Sequence, residues 1–560
     1  MNGQRNEEPP SLRSAGTTSP SPIGWERSGV RVTCSSAFNI QRSLSCRAEA
    51  SRRRINVSRK LAFLLFFSLL CLTAHAHIGS PDIFFDGSAG AYPVRVTIRM
   101  PGVVPGRAEI TARVQTSDPV EVSFLPIFSG TPITNAPPAE LAQLVRGETN
   151  LYSGELWLMI TGGYSVEVRI KGPGGTGTVE IPVNSVATQQ LPLPSVLGKI
   201  LFALLALLVI GGIGIAAAAG REAALPAGAT AGSPQRWKGV LAATVASIVF
   251  VLALYIGKNW WASDERDFQS HLREGAWPDL ATNVRTEGPD RILQLEIGKE
   301  FFQHNSRNSL IPDHGKLMHL FLVRQGSRDA FAHLHPIRKK DYTFEVAIPP
   351  LPEGRYDIFC DLTFEGGLSS TATNSILLPP APMAETSEPS IERDPDDSWA
   401  TTPVAATSTT DSTLVYKTPD GIQIIWQPHP PLRANQDAAL NFSVVDSTGT
   451  PLDLQPYMGM LSHAAVLRND NSVFAHLHPS GNFSMAAQTF FAAKTTLPTD
   501  TAMTDMPNMP GMDHMQKMSS QTSSVSLPYQ FPAPGNYRIW VQFKIADRVL
   551  TGVFDVQVGS

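Results

Sequence analysis

Two apolar runs restrict the fold of this 560-residue chain more than any other feature: VLGKILFALLALLVIGGIGIAAAAG at 196–220 and GVLAATVASIVFVLALYIGK at 239–258. Each is long enough to cross a bilayer, at about 20 residues per crossing. Hydrocarbon admits only a backbone that satisfies its own hydrogen bonds, so each run is expected to be a transmembrane helix. The short loop at 221–238 carries Arg221, Arg236 and Lys238 against Glu222, a bias that places it in the cytoplasm and both flanks outside. Trp260 and Trp261 follow the second run where an interfacial anchor would sit.

The sequence before residue 77 supports the same orientation. RKLAFLLFFSLLCLTAHA (59–76) has the charged start, apolar core and Ala-His-Ala end of a secretory signal. Residues 1–76 are therefore read as an upstream extension plus signal, with Val57 a candidate start and His77 the first residue after cleavage. Residues 1–60 carry a net +7 against −4 for the whole chain, so the remainder is acidic and argues against a nucleic-acid partner. Of four cysteines only Cys360 lies beyond the signal, which leaves no intrachain disulfide and points to buried packing for that thiol.

Outside the apolar runs the pattern is that of strands. Segments such as YPVRVTIRM (92–100) and YSVEVRIKG (164–172) alternate apolar and polar residues between Gly, Pro and Thr clusters. The expected fold is mainly β: three extracytoplasmic antiparallel β-sandwich domains plus a two-helix transmembrane hairpin. The sandwiches are placed at 77–195, 283–380 and 413–560, with a Pro/Ser/Thr-rich linker at 381–412 and an insertion at 495–527.

The two outer segments are repeats of each other. HLFLVRQGSRDAFAHLHP (319–336) matches HAAVLRNDNSVFAHLHP (463–479), and PEGRYDIFCDLTF (352–364) matches APGNYRIWVQFKI (533–545). Residues i and i+2 of a strand share a face, so His333 joins His335, and His476 joins His478. A three-residue turn at 326–328 sets His319 opposite His335, and a two-residue turn at 470–471 sets His463 opposite His478. Opposed Cβ atoms lie about 5 Å apart, so each hairpin is expected to gather three imidazoles on one face. A lone His-x-His is ordinarily a surface or hydrogen-bonded pair. Two copies that differ widely elsewhere yet keep all three histidines point instead to a metal ion.

The metal type is suggested by the insertion. MTDMPNMPGMDHMQKM (503–518) places Met503, Met506, Met509, Met512, Met515 and Met518 around His514, while Pro507, Pro510 and Gly511 break any helix. Thioether sulfur is a soft ligand that selects Cu(I). The string MPGMDHM resembles the methionine-rich segments of bacterial periplasmic copper-resistance proteins, which implies copper. The paired FAHLHP hexapeptides and the 77–110 stretch resemble uncharacterised bacterial envelope proteins, from which no activity carries over.

The expectation is a copper-binding protein of the bacterial inner membrane, its N- and C-terminal domains in the periplasm. Cu(I) is the preferred ion, zinc is an alternative at the histidine clusters, and an envelope protein is a candidate partner. His304, His314 and Asp313 are candidate peripheral ligands, His314 aligning with Met458. His77 could chelate through its amine and ring, but 77–194 offers no second histidine. Two other readings stay open. One is a non-catalytic interaction module. The other is a metal enzyme with a three-histidine site and Asp361 or Glu365 as its acid or base.

Overall fold

The computed structural model describes residues 82–560 apart from 117, 189, 224, 227, 275–277, 299–308, 382–392, 402–404, 406, 409–412, 428 and 497–521. His77, His304 and the Met503–His514–Met518 string lie outside the described residues. The alternating segments form strands, which pair into six antiparallel sheets. In the first segment alternate positions of Tyr92–Arg99 and Gly106–Val114 point inward. Val94, Val96, Ile98, Ile110 and Ala112 share one core with Val166, Val168 and Ile181 of a four-stranded sheet.

Each outer segment contributes one outer and one inner sheet. The inner sheet of the first repeat runs Ser369–Leu378, Gly354–Thr363, His319–Arg324, Ala330–Leu334, Ser398–Thr401. That of the second runs Phe474–Leu477, His463–Arg468, Gly535–Ile545, Arg548–Val558. Leu320 pairs with Leu334 and Ala464 with Leu477, the registers expected from the turns. The loops are longer than expected, spanning 325–329 and 469–472, but each grows equally on both sides and the register is unchanged.

Both faces of the first repeat's inner sheet are covered. Leu320 and Leu322 enter their own core, whereas Phe321, Val323 and Phe331 join the core of the second repeat. The inner sheets therefore pack face to face, which accounts for the continuously apolar strands. Phe331 stacks on Trp540, with centroids 4.9 Å apart and planes 10° apart. The matching residues of the other copy do the same, Phe474 on Phe359 at 4.2 Å and 4°. The repeats are thus related by an approximate two-fold axis through their interface.

Part of the stretch read as a linker is ordered. Ser398–Thr401 pairs with Ala330–Leu334 as an edge strand, and Asp394 and Asp397 pack beside it. Strand pairing also begins at Leu280, upstream of the 283 boundary. A helix not expected from sequence, Met485–Thr496, follows the second hexapeptide, and its Gln488 and Lys494 side chains donate to backbone oxygens of Glu180 and Ser129. The segment ahead of it pairs with the first segment: Asp86 N donates to Ser480 O at 2.9 Å and Phe84 N to Asn482 Oδ1 at 2.8 Å. Gly481 sits at φ 141°, where a Cβ would lie 1.8 Å from Phe84 O. No side chain fits there.

The apolar runs form helices α1 (Ser195–Glu222) and α2 (Ser233–Glu274). Their most apolar windows have mean hydropathy 2.8 and 2.4 and are 0% and 6% buried, so both are long and apolar enough to cross a membrane with their side chains facing outward. Helix α2 continues well past the apolar run. Gly220 and Gly239 permit close packing near the connecting loop, since Cβ atoms there would lie 2.7 Å from Ala242 Cβ and 2.9 Å from Ala217 O.

Glu180 is buried beside Ser165, which donates to its Oε2 at 2.9 Å, and near Glu167. Burial pushes its carboxyl up to about 8, with the Glu167 charge adding to the rise. The folded state then holds a proton that the unfolded chain releases at ordinary carboxyl pH. Stability from this group is full below about 4.5 and fades as pH rises through about 8. Glu180→Gln should flatten that decline in thermal melts; a decline equal to that of the unaltered protein would show that Glu180 is ionised when folded.

Candidate metal centre

Beyond the aromatic stacks, one end of the repeat interface is lined with histidine. His319, His333, His335, His463, His476 and His478 all reach it, joined by His314 from a turn before the first histidine strand. The hairpin registers explain why. His319 and His463 open their strands on the face turned toward the other repeat, and the FAHLHP histidines lie opposite on the same face. Ring spacings repeat closely. His319–His333, His319–His335 and His333–His335 are 5.4, 5.2 and 4.8 Å apart. The second copy gives 5.5, 4.9 and 4.5 Å for His463–His476, His463–His478 and His476–His478.

The two trios are not separate. His476 lies 5.3 Å from His319 and 5.4 Å from His333, centroid to centroid. Grouped by ligand atoms rather than rings, His319, His333 and His335 form one set in which one nitrogen from each lies within 4.8 Å of the other two. The other set is His314, His463 and His478. His314 crosses from the first repeat to take the place expected for His476, which sits between the sets.

Partners behind the rings orient them. His333 Nδ1 lies 2.9 Å from Gln542 Oε1, and that amide's Nε2 donates to Ser398 Oγ. The related contact in the other direction is His476 Nδ1 with Asp361 Oδ2 at 3.3 Å. Asp361 and Gln542 occupy the same position in the two repeats, so each repeat fixes a histidine of the other. His335 Nδ1 lies 3.0 Å from Asp397 Oδ1, and His319 Nε2 lies 3.2 Å from the Asp313 carbonyl. Facing the interior, Nε2 of His314, His335 and His476 and both nitrogens of His463 and His478 are buried without a hydrogen-bond partner. His335 and His476 thus each set a carboxylate against Nδ1 and leave Nε2 bare, the arrangement that prepares an imidazole to ligate an ion.

The electrostatics agree. Burial, reinforced by the neighbouring imidazoles, holds His319, His333, His463 and His478 well below the usual histidine range. They are neutral, as ligands must be. Burial likewise lowers His314, against the opposing pull of Asp313. For Asp394, burial raises the carboxyl, but the Lys316 and Asp396 backbone hydrogen bonds and the nearby Lys316 charge together outweigh it, and the group stays below the ordinary carboxylate range. Asp394 and Asp397 also form a possible ligand set with His335. A cavity of about 170 Å³ opens beside His319, Asp361, His476 and His478, lined also by Ile83 and Asn184 of the first segment and Ser484 of the second repeat. Ligand pockets for drug-sized molecules run to roughly 300–1,000 Å³. This one has room for an ion and its waters or a very small molecule.

Sequence reading grouped the six strand histidines but not their supports. Asp394 and Asp397 lie in the stretch read as linker, and Gln542 carries no chemistry that marks it. The available signal was the repeat alignment, which sets Gln542 on Asp361. Asp361, considered as a catalytic acid or base, lines the cavity, contacts His476 and accepts from Thr371 Oγ1 at 2.6 Å, whereas Glu365 does not line the cavity. Cys360 is buried in the first repeat's core, as expected.

Residues 417–560 match a family model described as a domain of unknown function, DUF8832. No curated protein matches the chain. Among solved structures, Salmonella alpha-2-macroglobulin reacted with methylamine is 9% identical over 87% of this chain, with TM-score 0.16, and the chain spans 24% of its length. A putative membrane anchored protein from Corynebacterium diphtheriae is 8% identical over 86% of this chain and 96% of its own, with TM-score 0.13.

Gln542→Leu removes the acceptor behind His333 and the donor to Ser398 while keeping the side chain's bulk. Leaving buried polar groups unpaired costs about 1–3 kcal/mol. Chemical denaturation should show a loss of that size, and unchanged stability would mean that the amide does not hold the ring.

Proposed function

We propose that this protein binds copper outside the cytoplasm, as a membrane-anchored homeostasis, buffering or delivery protein. The six sheets are read as three sandwiches and α1 and α2 as the anchoring hairpin, with the sandwiches on the periplasmic side of a bacterial inner membrane. The observation that carries the reading is one nitrogen pair. His319 Nδ1 and His333 Nε2 lie 3.2 Å apart, each on a ring whose other nitrogen faces an oxygen acceptor. The contact is a hydrogen bond when one of these two nitrogens carries the ring proton; in the tautomers that direct both ring protons to the oxygen acceptors, two lone pairs point at each other. Two imidazoles on one tetrahedral ion, at metal–nitrogen distances of about 2.0–2.1 Å, place their nitrogens about 3.3 Å apart. The spacing suits chelation.

Copper is favoured over zinc on two grounds. Among divalent first-row ions an imidazole site binds copper most tightly, and the methionine string at 503–518 adds thioethers that select Cu(I). The string would capture the ion and the buried imidazoles would hold it, with the small cavity as the entry between them.

The test is competition titration of detergent-solubilised full-length protein with Cu(I) and with Zn²⁺. The comparison variants are His333→Ala/His335→Ala/His476→Ala/His478→Ala and deletion of 503–518. Tight Cu(I) binding should survive the deletion and vanish in the histidine variant. Asp397→Asn, which only loosens the support of His335, should weaken it by about 10–100-fold. Failure of the intact protein to bind Cu(I), or binding indifferent to the histidines, would overturn the reading and favour an interaction module.

A further inference from the structure

The approximate two-fold relating the repeats predicts a ligand that no single hairpin supplies. It is established by independent contacts: the reciprocal stacks Phe331–Trp540 and Phe474–Phe359, and the reciprocal supports His333–Gln542 and His476–Asp361. The turns five residues before each histidine strand obey it as well. Asp313 and Lys316 bridge around His314 (φ 51°) and Gly315 (φ 80°); Tyr457 and Met460 bridge around Met458 (φ 49°) and Gly459 (φ 79°). Both central residues have positive φ in each turn, so the two side chains leave the backbone in the same way.

His314 uses this geometry to reach across the axis. Its ring lies 4.8 Å from that of His478 and 5.4 Å from that of His463, and it completes their ligand set. The related turn residue, Met458, is buried, and its backbone lies against His314, so the two turns meet at the axis. Tyr457, beside it, approaches His333 at 6.4 Å between rings and donates to the Asp396 carbonyl at 2.9 Å, next to the Asp397 that holds His335.

Resting on the copper reading above, we infer that the cluster holds two ions in unlike sites, each completed by the other repeat. One site is His463 and His478 with His314. The other is His319, His333 and His335 with the Met458 thioether as fourth ligand. The exchange of His for Met at one symmetry-related position makes the first site all-imidazole and gives the second a soft donor. The second is then the Cu(I)-selective site, and the first accepts harder ions equally well.

The experiment compares full-length protein with Met458→Leu and His314→Leu, titrated separately with Cu(I) and Zn²⁺. Met458→Leu keeps an apolar side chain of similar size and removes only the sulfur. Supporting residues of metal sites are worth about 10–100-fold in affinity, and a direct thioether ligand should be worth at least the lower figure for Cu(I) at one of two ions. Zn²⁺ affinity should be unchanged, because zinc does not seek the thioether. His314→Leu should weaken the other ion for both metals. A single ion per histidine cluster, or Met458→Leu leaving Cu(I) affinity unaltered, overturns the inference while leaving copper binding intact. Equal loss of Cu(I) and Zn²⁺ in Met458→Leu would reduce Met458 to packing and also overturn it. No Cu(I) binding by the unaltered protein would instead sink the reading on which it rests.

Discussion

Burying a polar nitrogen without a partner is among the more costly things a fold can do. The interface between the two repeats does it on five histidines at once. In the copper reading proposed above, an ion offsets that cost, and the 3.2 Å His319–His333 approach is where it would be held. Everything else in the outer segments serves to bring those rings together: two hairpin registers, a pair of reciprocal aromatic stacks and the carboxylates that hold the rings from behind.

The interface also explains why the repeat is present twice in one chain. A single hairpin presents three imidazoles on a flat face, which water would solvate. Two copies face to face bury that surface against itself, and the aromatic layer of Phe321, Phe331, Phe359, Phe474 and Trp540 supplies the apolar area that holds the faces together. The first segment packs against this assembly. Its strand Ile83–Ala89 bridges to Gly481, and Ile83 and Asn184 reach the rim of the cavity beside the histidines.

The hairpins were legible because their information is local. Strand alternation fixes which residues share a face, and symmetric growth of a turn leaves the register alone, so His319 meets His335 despite a longer loop. The apolar helices were legible for a similar reason, since length and composition alone mark them. The docking of one repeat on the other was not legible. Nothing in the Phe331 or Trp540 strand says that its second apolar face has a partner elsewhere in the chain. For the same reason His314 could be placed only as a peripheral candidate, and Asp397, sitting in a Pro/Ser/Thr-rich stretch, read as linker. Its structure comes from pairing of Ser398–Thr401 with a strand more than sixty residues earlier, a tertiary constraint with no local signature.

The most direct test of a copper centre built jointly by the two repeats is anomalous diffraction at the copper edge from crystals of the copper-loaded full-length protein. The account predicts anomalous density enclosed by His319, His333 and His335, with neighbouring density at His314, His463 and His478. Copper density confined to positions away from these histidines, or none in copper-loaded crystals, would contradict it.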